Sequence, residues 1–144
     1  MDFEGTMKPK ETYDLIKGYK KAIFFRIDVA TKVLLSKDRF KEFRKIYEIA
    51  FNIEAILRES GYPQARGFGA GSCKPVFCKG IVCQALVNGG PCLYPSIAKP
   101  SMEAVGIDVF SLAKKVGWDI HYIGRNTDPE SLPKGMLMGL VLFA

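Results

Sequence analysis

Cys73, Cys78, Cys83 and Cys92 are all the cysteines in this chain, and they fall within one stretch, GSCKPVFCKGIVCQALVNGGPCLYP, residues 71–95. Thiolates are soft ligands that select zinc or iron–sulfur clusters over Mg²⁺ or Ca²⁺. The glycines of the stretch, with Pro75, Pro91 and Pro95, argue for a loop, and four ligands on a loop can converge on one tetrahedral or cuboidal centre. Structural zinc sites usually draw paired cysteines from two separated knuckles. Here three cysteines follow one another on a single run with the fourth close behind, the order of a ferredoxin-type loop. The match is one of order, not of interval: this chain reads C-x4-C-x4-C-x8-C, where ferredoxins read C-x2-C-x2-C or C-x4-C-x2-C. The expectation is a [4Fe–4S] cluster first, zinc second, and metal-free thiols or disulfides third.

Four thiolates around either metal leave an anionic centre, and unpaired charge in a partly dry pocket is costly. From Ser60 to Met102 there is no acidic residue, while Arg66, Lys74, Lys79 and Lys99 are present. Arg66, Lys74 and Lys79, together with glycine amides donating to sulfur, are the expected compensation. Such donors would also raise the reduction potential of a cluster.

Other chemistry is thinly represented. His121 is the only histidine and reads as a packed or surface residue. Glu103 stands in a first helical turn, where carboxylates are favoured, and Asp108 has a capping position. One histidine on a separate element supports no Ser/His/Asp or Cys/His arrangement for nucleophilic catalysis, so the reading leans away from an enzyme. The glycines at 67, 69 and 71 lack the GK[ST] and the helix opening of a phosphate loop; they read instead as places where a backbone comes close to something bulky.

At 144 residues with 48% hydrophobic content, the chain is expected to form a single domain, 1–144, burying roughly 70% of its unfolded surface. A core of that size has no need of disulfide staples. MDFEGTMKPK lacks the apolar run of a secretory signal, which points to the cytoplasm. The most apolar run, MLMGLVLFA at 136–144, falls short of the roughly 20 residues a membrane-crossing helix needs and is expected to be a buried strand. The net charge is +6, from 21 Lys and Arg against 15 Asp and Glu, but basic residues between 8 and 45 alternate with Glu11, Asp14, Asp28, Asp38 and Glu42. That is a solvated surface and not a one-sign stripe, so it argues against a nucleic-acid partner.

The elements that must position the cysteines can be read from periodicity. In KAIFFRIDVA, Ile23, Phe25, Ile27 and Val29 share one face and Phe24, Arg26 and Asp28 the other, the pattern of a strand. From Asp38 the period changes: Phe40, Phe43, Tyr47, Ala50, Ile53 and Leu57 form the stripe of a long helix that Gly61 and Pro63 end. ARGFGAG, 65–71, reads as a short strand running into the cysteine loop. Pro100 and Ser101 open a helical stretch, and Asp108 caps another that Gly117 stops. WDIHYIG reads as a strand that can pair with the final strand as a hairpin. Residues 1–12 read as a loose lead-in. The fold class expected is α+β: a small, mostly antiparallel sheet with helices packed on one face and a cysteine-rich metal-binding loop at 71–95.

PCLYPSIAKPSMEAVGIDVFSLAKKVGW, from Pro91, with GAGSC before it, resembles a family of small prokaryotic proteins predicted to bind metal (domain of unknown function 2284). The order of strands and helices upstream fits too, so the resemblance covers nearly the whole chain. It implies that Cys73, Cys78, Cys83 and Cys92 correspond to the family's metal-binding cysteines. Two differences stand out: the family commonly spaces its first three cysteines more tightly, and often has a further cysteine-rich segment before the first strand. The reading as a whole is a metal-binding protein with one cysteine-ligated centre, an electron-transfer or accessory module for a protein partner, or alternatively a zinc-binding interaction domain.

Overall fold

The computed structural model describes residues 7–71, the short helix 74–77 and residues 97–144; of the helix 74–77, the side chains of Lys74 and Pro75 fall outside the description. At its centre is β3 (Lys134–Phe143), an almost wholly apolar strand. β1 (Lys21–Ala30) runs antiparallel along one edge of β3, Lys21 opposite Phe143 and Ala30 opposite Lys134. β2 (Arg66–Phe68) runs antiparallel along the other edge, with Arg66 opposite Leu142 and Phe68 opposite Leu140. The sheet order is β1-β3-β2, and with the surrounding helices this is the expected α+β class.

The continuous apolar run of β3 explains how the helices are distributed. Side chains alternate between the faces of a strand, so a strand without polar alternation must be covered twice. On one face Met138, Leu140 and Leu142 pack with Phe68, Met102, Val105, Val109 and Ala113, and with Leu15 and Ile16 of α1 (Pro9–Lys17). On the other face Val141 packs with Ala50 and Leu57 of α3 (Arg39–Glu59) and with Ala65. The helices therefore flank both faces where one was expected. Residues 9–12, assigned to a lead-in from the sequence, are the first part of α1, with Thr12 buried.

WDIHYIG forms no strand and pairs with none among the described residues, and the expected hairpin with the final strand does not form. β1 takes the whole length of one edge of β3, and β2 takes the other from Leu140 to Leu142. Residues 118–124 cross over a face instead: Trp118 stacks on Phe24 of β1 with ring centroids 4.7 Å apart. Pro100 and Ser101 lead into a single 3₁₀ turn, Glu103–Val105, whose Ala104 N–H donates to the Ser101 hydroxyl at 3.1 Å.

The signals at Gly61 and Asp108 work as read, whereas at the start of the long helix, where Ser36 or Asp38 is a capping candidate by type, Asp38 makes no side-chain capping hydrogen bond. α3 follows the short α2 (Thr31–Leu34) and ends in a Schellman motif: the Tyr62 N–H donates to the Leu57 carbonyl at 2.9 Å and the Gly61 N–H to that of Arg58 at 3.3 Å. Gly61 takes φ +101° at the turn, a conformation that only glycine adopts cheaply. Asp108 caps α5 (Val109–Lys115), accepting from the Ser111 N–H at 3.1 Å and the Ser111 hydroxyl at 2.7 Å.

α3 and the chain through β2 lie unusually close. A Cβ at Gly67 would strike the Glu54 carboxylate, one at Gly69 would overlap the Tyr47 ring, and one at Gly71 would press on the Phe43 ring. Residues 43, 47 and 54 lie along one stripe of the helix, and alternate residues 71, 69 and 67 meet them in reverse order. The bulky neighbour expected beside these glycines is thus α3 itself.

Two outcomes follow. Gly69→Ala is expected to lower the free energy of unfolding by about 1–3 kcal/mol, the usual cost of overpacking, measured as a fall in the urea midpoint. Donation from the Ser111 N–H, and next from its hydroxyl, holds the Asp108 carboxyl below the usual carboxylate range. A group depressed in this way contributes stability above its unfolded value and loses it as pH falls through the lowered one. Thermal melts of Asp108→Ala should therefore lie below wild type at neutral pH, and the gap should close on strong acidification.

Candidate metal centre

Cys73, Cys78, Cys83 and Cys92 lie outside the described residues, so the site is built here from the frame that carries the segment. Among the described residues no group of three or more His, Cys, Asp or Glu could hold a metal ion.

The two ends of the segment are tied together. The Gly69 N–H donates to the Pro100 carbonyl at 3.0 Å and the Met102 N–H to the Gly69 carbonyl at 3.2 Å, a parallel bridge between Gly69 and Ser101. Joining the ends of a long loop costs entropy that grows with the logarithm of its length, and this bridge makes the closure part of the folded frame.

Tyr47 of α3 holds the described chain on both sides of the segment. It is fully buried, and its hydroxyl donates to the Gly71 carbonyl at 2.8 Å. Its ring meets Phe77 edge to face at 5.4 Å, a geometry that favours an aromatic pair. Phe77 closes α4 (Lys74–Phe77), the turn that separates Cys73 from Cys78 in sequence. Val76, Ile97 and Ala98 pack on the same Tyr47–Phe77 pair, and the Arg44 guanidinium lies over the Phe77 ring at 5.2 Å. Entrance, exit and α4 thus gather on one aromatic residue.

On the other side of the bridge stands a buried carboxylate that sequence reasoning missed. Glu54 is 3% exposed; its Oε1 accepts the Gly67 N–H at 3.0 Å, and its Oε2 faces Arg58 Nη2 and Lys99 Nζ, each at 3.1 Å. Arg58 also donates to the Ala65 carbonyl. One carboxylate thereby joins α3, β2 and the returning chain. The signal was in the sequence: position 54, four after Ala50 and three before Leu57, lies on the apolar stripe.

The other candidate residues are dispersed. Lys99 of the acid-free window is committed to Glu54, and the guanidinium of Arg66 touches the Met7 sulfur at 3.9 Å. The side chain of Lys74, and Lys79 altogether, lie outside the described residues. His121 is half exposed and pairs with Asp119 at 3.2 Å, a surface histidine as read. It borders an apolar cleft of about 670 Å³ that also reaches Phe43, Ile107, Ile123 and Met136.

Residues 5–143 match the sequence profile of a family described as predicted metal-binding protein (domain of unknown function 2284). No curated protein and no solved structure matches the chain.

Removing one partner of a buried ion pair leaves the other charge uncompensated, at a cost of about 3–5 kcal/mol. Glu54→Ala, which strands Lys99, is expected to destabilise the protein by that amount in denaturant titrations. Lys99→Met should cost less, about 1–2 kcal/mol, because Glu54 retains Arg58 and the Gly67 amide.

Proposed function

The chain belongs to this family of predicted metal-binding proteins, and on that premise we propose that Cys73, Cys78, Cys83 and Cys92 together hold one metal centre, a [4Fe–4S] cluster. The protein then serves as an electron-transfer or accessory module for a protein partner. The observation that carries this reading is the conjunction of four thiols within one segment and a frame that ties the segment's ends at Gly69 and Ser101. The donor set fits the group: thiolates are the ligands of Fe–S clusters, and a run of three with a fourth close behind is the ferredoxin order. The absence of acidic residues from Ser60 to Met102 suits a centre that is itself anionic.

A bound cluster supplies one-electron transfer. The chain's own contribution is to hold the segment: Tyr47 anchors its entrance through the Gly71 carbonyl, Phe77 anchors α4, and Lys99 fixes its exit to Glu54. We place the protein in the cytoplasm, where thiols stay reduced; among the described residues no helix is long and apolar enough to cross a membrane.

One observation favours a second reading. The spacing C-x4-C-x4-C-x8-C is not that of the known ferredoxins, and a zinc ion fixing the same loop for a partner would need only four thiolates and a tetrahedral arrangement.

Protein purified without oxygen distinguishes the two. A cluster makes it brown, with iron and sulfide in equal amounts, bleaching on reduction and a spin-resonance signal in the reduced state; each Cys→Ser variant should lose most of the iron. A colourless protein with about one zinc per chain assigns the second reading. Material free of both metals, with all four cysteines replaceable by serine at no cost to stability, overturns the shared claim.

A further inference from the structure

A polar cleft of about 380 Å³ opens where the end of α3, β2 and the returning chain meet, and its walls include Tyr19, Glu54, Arg58, Arg66, Gly67 and Lys99. Three of these side chains are cationic and one is anionic. Both oxygens of that one carboxylate, Glu54, are already engaged, by the Gly67 amide and by Arg58 and Lys99. The formal charge on the cleft walls is thus +2.

Donors remain after these contacts. An ammonium has three N–H groups, and Lys99 uses one, toward Glu54. Its side chain is only 14% exposed, so the ammonium is held in the wall and does not sweep through solvent. The guanidinium of Arg66 has five donors in a rigid fork, and among the described residues its recorded contact is the Met7 sulfur, a weak acceptor at 3.9 Å. The residues lining the cleft thus supply a planar fork and a fixed ammonium, the two kinds of donor that recognise an oxyanion.

We propose that this cleft is a binding site for a phosphate group, free or carried on a small organic molecule. Arg66 and Lys99 donate to the phosphate oxygens, Arg58 supplies the third positive charge, and Glu54 keeps Lys99 in place. Charge decides for phosphate over a simple carboxylate: a phosphate monoester carries about −1.5 to −2 at neutral pH and matches the walls, whereas a carboxylate neutralises only half of them. The site does not depend on a metal being bound by the cysteines.

Calorimetric titration of the full chain with inorganic phosphate, at ionic strength held constant with chloride, tests the proposal. Saturable binding of one phosphate per chain is expected, with acetate at least tenfold weaker. Arg66→Ala, an exposed residue outside the Glu54 ion pair, should fold as wild type by circular dichroism and bind phosphate at least tenfold more weakly; Arg66→Lys should recover part of the loss. Glycerol 3-phosphate binding more tightly than inorganic phosphate would assign a phosphorylated small molecule as the source, and equal binding would assign the free ion. No saturable heat with either probe, or unchanged affinity in a folded Arg66→Ala, overturns the proposal.

Discussion

Everything near the cysteine segment depends on how closely the chain through β2 lies against α3. The contact is possible because alternate positions 67, 69 and 71 carry no side chain where Glu54, Tyr47 and Phe43 project. Strand alternation and helical periodicity are different rhythms, yet over this short span they coincide, Gly67 meeting Glu54 and Ala50, Gly69 meeting Tyr47 and Gly71 meeting Phe43. The backbone from β2 to Gly71 is thereby held near enough for the Gly67 amide to reach a carboxylate and the Gly71 carbonyl to reach a phenol.

Two anchors of different chemistry grow from that contact. Tyr47 joins a hydrogen bond to an apolar cluster: its hydroxyl fixes the chain before the cysteines, and its ring receives Phe77, Val76, Ile97 and Ala98. Glu54 is ionic, and binds the chain after the cysteines through Lys99. Buried ion pairs contribute little net stability compared with apolar packing of the same volume. The value of this one lies in direction, since a carboxylate with three partners from three parts of the chain admits a single arrangement of them. Between the anchors, the bridge at Gly69 and Ser101 brings the segment's ends side by side.

The same geometry connects the proposed metal centre with the proposed phosphate cleft without making one depend on the other. Lys99 belongs to both: it secures the segment's exit and stands in the cleft wall. Basic residues of the acid-free window, expected from the sequence to compensate a thiolate centre, therefore have a second employment. Lys99 answers a buried carboxylate, and Arg66 is among the residues lining a polar cleft.

The sequence alone was enough for whatever depends on local patterning. The alternation in KAIFFRIDVA, the stripe of α3, the caps at Gly61 and Asp108, the short β2 and the family resemblance are each written in a few neighbouring residues, and backbone sterics and nearest-neighbour hydrogen bonds enforce them locally. Only the tertiary structure decided which strands pair and which faces are covered. WDIHYIG has a strand's composition but packs over a face of the sheet through Trp118 and Ile120, and β3 draws helices to both its faces because it has no polar side to turn to water. The partners of Glu54 were equally beyond reach: a carboxylate on an apolar stripe signals a buried charge, but Gly67 and Lys99 lie 13 and 45 positions away. Contacts between residues far apart in sequence are settled by the packing of the whole chain, which no local pattern records.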